Sequence, residues 1–148
     1  GIGDAQVLAA AGIAPQVPLP GVGRNLQDHP CMALHFAGSA GLIAEMRAHA
    51  AQRLLYEEGV IIKKRSSLAR HSFDLHLFSS GAQRPNTDEW YWDLYVGVLD
   101  EHSRGSVLLD AGSGGRTHTI RHAHFSGAGG HDLRVMQDGV AFARALAA

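Results

Sequence analysis

Residues 91–99, "YWDLYVGVL", alternate with a period of two. Trp92, Leu94, Val96 and Val98 fall on one side, Tyr91, Asp93 and Tyr95 on the other, and Gly97 leaves a space beside them. Successive side chains of an extended chain point to opposite faces, so the run reads as a strand with one apolar and one polar face. Residues 73–79, "FDLHLFS", repeat the pattern, setting Phe73, Leu75 and Leu77 against Asp74 and His76. Two such runs commit the chain to a sheet with one face in a core. Shorter strand candidates are "VIIKK" (60–64), "GSVLLD" (105–110) and "HTIRHAHF" (118–125), with the turn-rich "DEHSRG" leading into the second of these.

Helices bracket the strands. Asp4 is placed to cap a short helix through Ala11, with Gly12 as a left-handed stop on which Ile13 folds back. Leu42, Met46, Ala50 and Leu54 recur every four residues, which predicts an amphipathic helix over 42–56 ending near Gly59. A closing helix over 132–147 carries Leu133, Met136, Val140 and Ala143 at helical spacing. Between the first two helices, the prolines of "APQVPLPGVGRNLQDHP" exclude a helix interior and leave loop or extended backbone. The pattern predicts an α+β fold, an antiparallel sheet packed with flanking helices. No internal repeat is present.

Composition narrows the functional classes. A chain of 148 residues suits one domain, and 45% hydrophobic with 18% charged residues places it among globular proteins. The net charge of −1, with histidines neutral, gives no electrostatic ground for nucleic acid or an anionic membrane. No apolar run approaches the roughly 20 residues that span a bilayer, and no signal-peptide pattern opens the chain. Cys31 is the only cysteine, which excludes an internal disulfide and suggests a reducing, cytoplasmic setting.

Several motifs invite chemistry and then fall short. "GIG" and "GVG" do not complete G-x-G-x-x-G, so a tight turn is the simpler reading. On one strand face, His118, His122 and His124 can bind a metal with His131 or Asp132. Arg121 lies among them, however, and no spaced Cys or Glu set accompanies them, so no metal ligand is assigned. No G-x-S-x-G elbow occurs, and the serines of "RSS" and "HSR" lack an identifiable base. The neighbours Asp28 and His29 read as a buried polar clasp.

The segment "GIGDAQVLAAAGIAPQVPLPGVGRNLQDHP" resembles the second sequence signature of the glucose–methanol–choline (GMC) family of flavoprotein oxidoreductases. Gly1-Ile2-Gly3, Gly12-Ile13 and nearly all of residues 19–30 match it in order and spacing. "IIKKRSSLARHSFDLHLF", "HSRGSVLLD" and "TIRHAHFSGAGGHDLRVMQDGVAFARAL" are similar to later segments of that family. Arg121 departs from it where an acidic residue is usual, and the stretch between Pro30 and Leu42 is short.

The resemblance implies part of an FAD-dependent enzyme that moves hydride from a CH–OH donor to flavin. It implies an internal, incomplete piece, with 1–30 as the end of the FAD-domain and linker signature and 31–148 as a substrate-domain fragment. Gly21, Gly23, Asn25, Asp28 and His29 would form a loop near the cofactor, and Tyr91, Asp93 and Tyr95 a wall of the substrate pocket. Neither the dinucleotide motif nor the family's H-P-x-G-T-like histidine context occurs, so no catalytic residue is expected in this chain and none of its own contacts should hold FAD tightly. The expected partners are a small alcohol and an FAD domain, with self-association through the surface that domain would cover. Two other classes remain open: a free-standing ligand- or partner-binding domain of the same fold, and a histidine-rich metal module.

Overall fold

The computed structural model describes residues 1–52 and 59–148. In chain order its elements are β1 (Ile2–Gly3), α1 (Ala5–Ala10), β2 (Val17–Pro18), β3 (Arg24–Leu26), β4 (Cys31–Ala37), α2 (Ala40–Ala51), β5 (Ile61–Lys64), β6 (Leu75–Gln83), β7 (Trp90–Val98), β8 (Gly105–Leu109), β9 (His118–Arg121) and α3 (His131–Ala147), with a 3-10 turn before the last. This is an α+β fold built on antiparallel sheets. The chain forms two compact units, Gly1–Asp28 with Glu101–Asp132, and His29–Asp100 with Leu133–Ala148.

In the first unit, the Asp4 carboxylate accepts from the Gln6 and Val7 amides and starts α1. Gly12 closes the helix at φ +76°, letting the Ile13 amide donate back to the Leu8 carbonyl at 2.9 Å, as its sequence predicts. The proline-rich segment that follows is extended. It gives β2, which pairs parallel with β1, and β3, which pairs antiparallel with β8. β9 completes the order β3-β8-β9. The strand expected over 118–125 stops at Arg121, because Ala123 (φ 54°) and Phe125 (φ 60°) turn into the left-handed region. His118 therefore lies on β9, while His122 and His124 lie beyond it.

The second unit holds a four-stranded sheet in the order β4-β7-β6-β5, every neighbour antiparallel. Leu75, Leu77, Leu94, Val96 and Val98 are buried on one face against Val135, Met136 and Ala143 of α3. Burying each such aliphatic side chain contributes about 1.5–3 kcal/mol. Gly139 lets the helix settle close to the sheet, since a Cβ there would run into Val96 and Leu75. α2 starts at Ser39, whose Oγ accepts from the Leu42 amide at 3.3 Å. It turns buried Met46 and half-buried Leu42 and Ala50 away from water. Leu54 and Tyr56, expected on the same helix, lie outside the described residues.

Local corrections follow from competing contacts. Phe73 precedes β6 and is exposed, whereas Asp74 is buried, because the Asp74 carboxylate takes the Ser66 amide and hydroxyl at 2.7 and 2.5 Å. The space beside Gly97 is filled by the His76 ring across the strand pair. Leu133 is exposed in the first turn of α3, leaving the core contacts to Val135 and Met136.

Candidate functional site

The face of the four-stranded sheet opposite the core carries the unit's most distinctive side chains. Pairing of β4 with β7 sets His35 opposite Asp93, and pairing of β6 with β7 sets Phe78 opposite Tyr95 and Ala82 opposite Tyr91. Directly opposed residues share a face. His35 Nδ1 lies 2.6 Å from Asp93 Oδ1, and the Tyr95 hydroxyl donates to Asp93 Oδ2 at 3.3 Å. Asp93 is 3% exposed while the His35 side chain is 73% exposed. A buried carboxylate accepts, so Nδ1 carries the hydrogen of this bond, and in the neutral ring the lone pair is on Nε2. That imidazole has a fixed tautomer and an open ring edge, suited to accepting a hydrogen bond from a hydroxyl group.

Aromatic surface extends from this point. Phe78 stacks on Tyr95 with ring centres 4.9 Å apart, His76 meets Phe78 edge-on at 5.3 Å, and His29 meets His76 at 6.1 Å. Tyr91 stands edge-on to His35 at 6.4 Å. Beside these two, an open cleft of about 430 Å³ is walled by His35, Tyr91, Ile43, Arg47, Arg84 and Trp90. The Trp90 indole N–H is buried with no hydrogen-bond partner among the described residues.

Of the residues singled out by sequence, Tyr91, Asp93 and Tyr95 come together on this face. His35 joins them although the sequence reading passed over it. Its signal was present: in "CMALHFA" Met32, Leu34 and Phe36 alternate with Cys31, Ala33 and His35, the same period that identifies β7.

The loop residues sit differently. Gly21, Gly23, Asn25 and Asp28 belong to the first unit and His29 to the second. Gly23, at φ +77°, is required by its own neighbours: a Cβ would meet the Val107 carbonyl oxygen, and the Val107 amide donates to Gly23 at 2.8 Å. Asn25 adopts φ 58° within β3, where the register with β8 shifts. Asp28 and His29 are both exposed, so they form no buried clasp. The Asp28 amide instead donates to Glu101 Oε2 at 3.2 Å, and its carboxylate lies 3.5 Å from His122 Nδ1.

The expected histidine face on one strand is also replaced. His118 stays on β9, while His122 and His124 stack at 5.1 Å and meet Asp28 and Glu101. Asp132 is a structural anchor. Its carboxylate takes the His102 and Ser103 amides, both at 2.8 Å, and the Ser103 hydroxyl at 2.5 Å. Burial pushes its pKa up, but hydrogen bonds from Ser103, His102 and His131 together outweigh burial and hold it below the ordinary carboxylate value.

The α+β fold on antiparallel sheets is the one that the sequence pattern predicts. The chain is a segment of the GMC oxidoreductase family. No family model matches it, but it is 32% identical along its whole length to choline oxidase from Arthrobacter globiformis. A stretch of 31 residues, 21% of the chain, is 64% identical to alcohol oxidase from Candida boidinii. Its fold matches pyridoxine 4-oxidase from Mesorbium loti over 97% of its length with a TM-score of 0.67, at 20% identity. The chain spans about 27% of the choline oxidase and 28% of the pyridoxine 4-oxidase. No helix among the described residues is long and apolar enough to cross a membrane.

Proposed function

We propose that this chain contributes the substrate-facing part of an FAD-dependent oxidoreductase acting on a small molecule's CH–OH group. The observation that carries this reading is the whole-length identity to choline oxidase, and the sheet face gives it a physical basis. His35, fixed by Asp93, offers Nε2 to an alcohol hydroxyl, while Tyr91, Tyr95 and Phe78 supply flat apolar surface for the carbon skeleton. Positioning and water exclusion are the contributions assigned to this face.

Among the described residues, neither the glycine turn before α1 nor the one at Gly23 fits the FAD pyrophosphate. A phosphate-binding helix start needs unoccupied amides behind a glycine turn. At α1 the Asp4 carboxylate already takes the Gln6 and Val7 amides, and Gly23 is closed off by β8. In this reading Gly21, Asn25, Asp28 and His29 would touch the cofactor's flank without cradling it, so the 148 residues alone should be inactive. Titrating the chain with FAD and following flavin fluorescence tests this directly. No stoichiometric binding is expected below about 1 μM, which corresponds to roughly 8 kcal/mol. Tight binding with alcohol-dependent flavin bleaching would replace the proposal with a self-sufficient enzyme. Sequencing the coding DNA on either side supplies the second arm. The proposal expects G-x-G-x-x-G before this segment and a catalytic histidine after it, and stop codons directly at both ends would overturn it.

A further inference from the structure

The first unit holds a histidine–carboxylate cluster that the proposed hydroxyl-binding sheet face does not include. We propose that Asp28, His122 and His124 form a binding site for a divalent transition metal, with Zn²⁺ as the reference ion. One ligand atom from each of the three lies within 4.8 Å of the others. Tetrahedral zinc holds nitrogen and oxygen ligands at about 2.0–2.1 Å, which puts adjacent ligand atoms about 3.3 Å apart. His122 Nδ1 and Asp28 Oδ2 are already 3.5 Å apart. An imidazole centroid lies about 3.2 Å from a metal bound at its nitrogen, so two imidazoles at a tetrahedral angle have centroids about 5.2 Å apart. The His122 and His124 rings are 5.1 Å apart.

A buried group supports the ligands from behind. Glu101 Oε1 lies 2.7 Å from His124 Nδ1, and Glu101 Oε2 accepts from the Asp28 amide. The Glu101 side chain is 2% exposed. A carboxylate on Nδ1 fixes the tautomer that leaves Nε2 free to ligate, the supporting arrangement usual behind metal-bound histidines. Ala123 and Phe125, both at positive φ, shape the turn that carries His124. Two imidazoles and one carboxylate favour zinc, nickel, copper or iron over magnesium and calcium, and leave a fourth position for water or an outside ligand.

The other histidine cluster lacks this geometry. His102 and His131 stack at 3.7 Å, too close for two ligands of one tetrahedral ion, and both Asp132 oxygens hold backbone amides.

The test uses the untagged chain, stripped with chelator and titrated calorimetrically with ZnCl₂ and spectroscopically with CoCl₂. One zinc per chain should bind at about 10 μM or tighter, and cobalt should give the intense visible bands of a tetrahedral site. His122→Ala and His124→Ala should each weaken binding at least about tenfold, and Glu101→Gln by about tenfold. His118→Ala should leave it unchanged. His122 is half exposed, so its alanine variant decides the matter even if the Glu101 variant misfolds. Absence of stoichiometric zinc binding, or binding that His122→Ala leaves intact and His131→Ala removes, would overturn the proposal.

Discussion

Both oxygens of Asp132 are engaged, and the group is almost wholly buried. Hydrogen bonds to a charged acceptor contribute about 1.5–3 kcal/mol each, and removing the acceptor strands the donors. Asp132→Ala should therefore destabilise the chain by about 3 kcal/mol at pH 7, measured by urea denaturation. Because its folded pKa is lowered, the stabilisation is present above the unfolded value of about 3.9 and lost as pH falls through the folded value. The gap between wild type and Asp132→Asn should accordingly narrow below about pH 4; a constant gap down to pH 2.5 would refute the linkage. The sequence offered Asp132 only as a fourth metal ligand, since its true partner, Ser103, is 29 residues away. The same distance effect hid the Asp28–His122 contact. Asp93 was legible as a polar-face residue, but its hydrogen-bond partner His35 lies 58 positions earlier.

β6, β7 and α3 were readable because each repeats its own period several times over. β9 was readable only to Arg121. Nothing in the composition of "RHAHF" distinguishes an extended chain from one that twice enters the left-handed region. Gly139 of α3 packs against the sheet. In an exposed helix interior, glycine to alanine gains about 1 kcal/mol from helix propensity. Here the new methyl would meet Val96 and Leu75, which are buried and cannot give way cheaply. Overpacking of this kind costs about 1–3 kcal/mol, so Gly139→Ala should be neutral to destabilising and Gly139→Val clearly destabilising. Thermal melts of the two variants check the order. A Gly139→Ala protein more stable than wild type would mean that α3 can move away from the sheet at little cost.

On the scale of the whole molecule, buried apolar side chains are unevenly shared. The second unit buries Leu75, Leu77, Leu94, Val96 and Val98 under Val135, Met136 and Ala143. Among the described residues of the first unit, only Leu8 and Ala11 are buried hydrophobics, and its strands are short. The loop through residues 20–27 is tied mainly by backbone bonds such as Val22 to Leu19, Arg24 to Gly21 and Val107 to Gly23, at an exposed surface. Hydrogen bonds open to water add little net stability, whereas apolar burial sets the cost of opening. The two units should therefore report different opening free energies. Amide hydrogen exchange should find residues 21–28 and β9 exchanging orders of magnitude faster than the central amides of β6 and β7. Exchange in β8 should fall between, because it is the central strand of its sheet and is paired on both sides. Chelated and zinc-loaded samples should differ chiefly at residues 28 and 122–124, where the proposed ion would link a loop to a turn. Uniform, strong protection of both units in a metal-free monomer would mean that the chain folds as one cooperative body, with the small first-unit core stabilised by interactions that its buried side chains do not reveal.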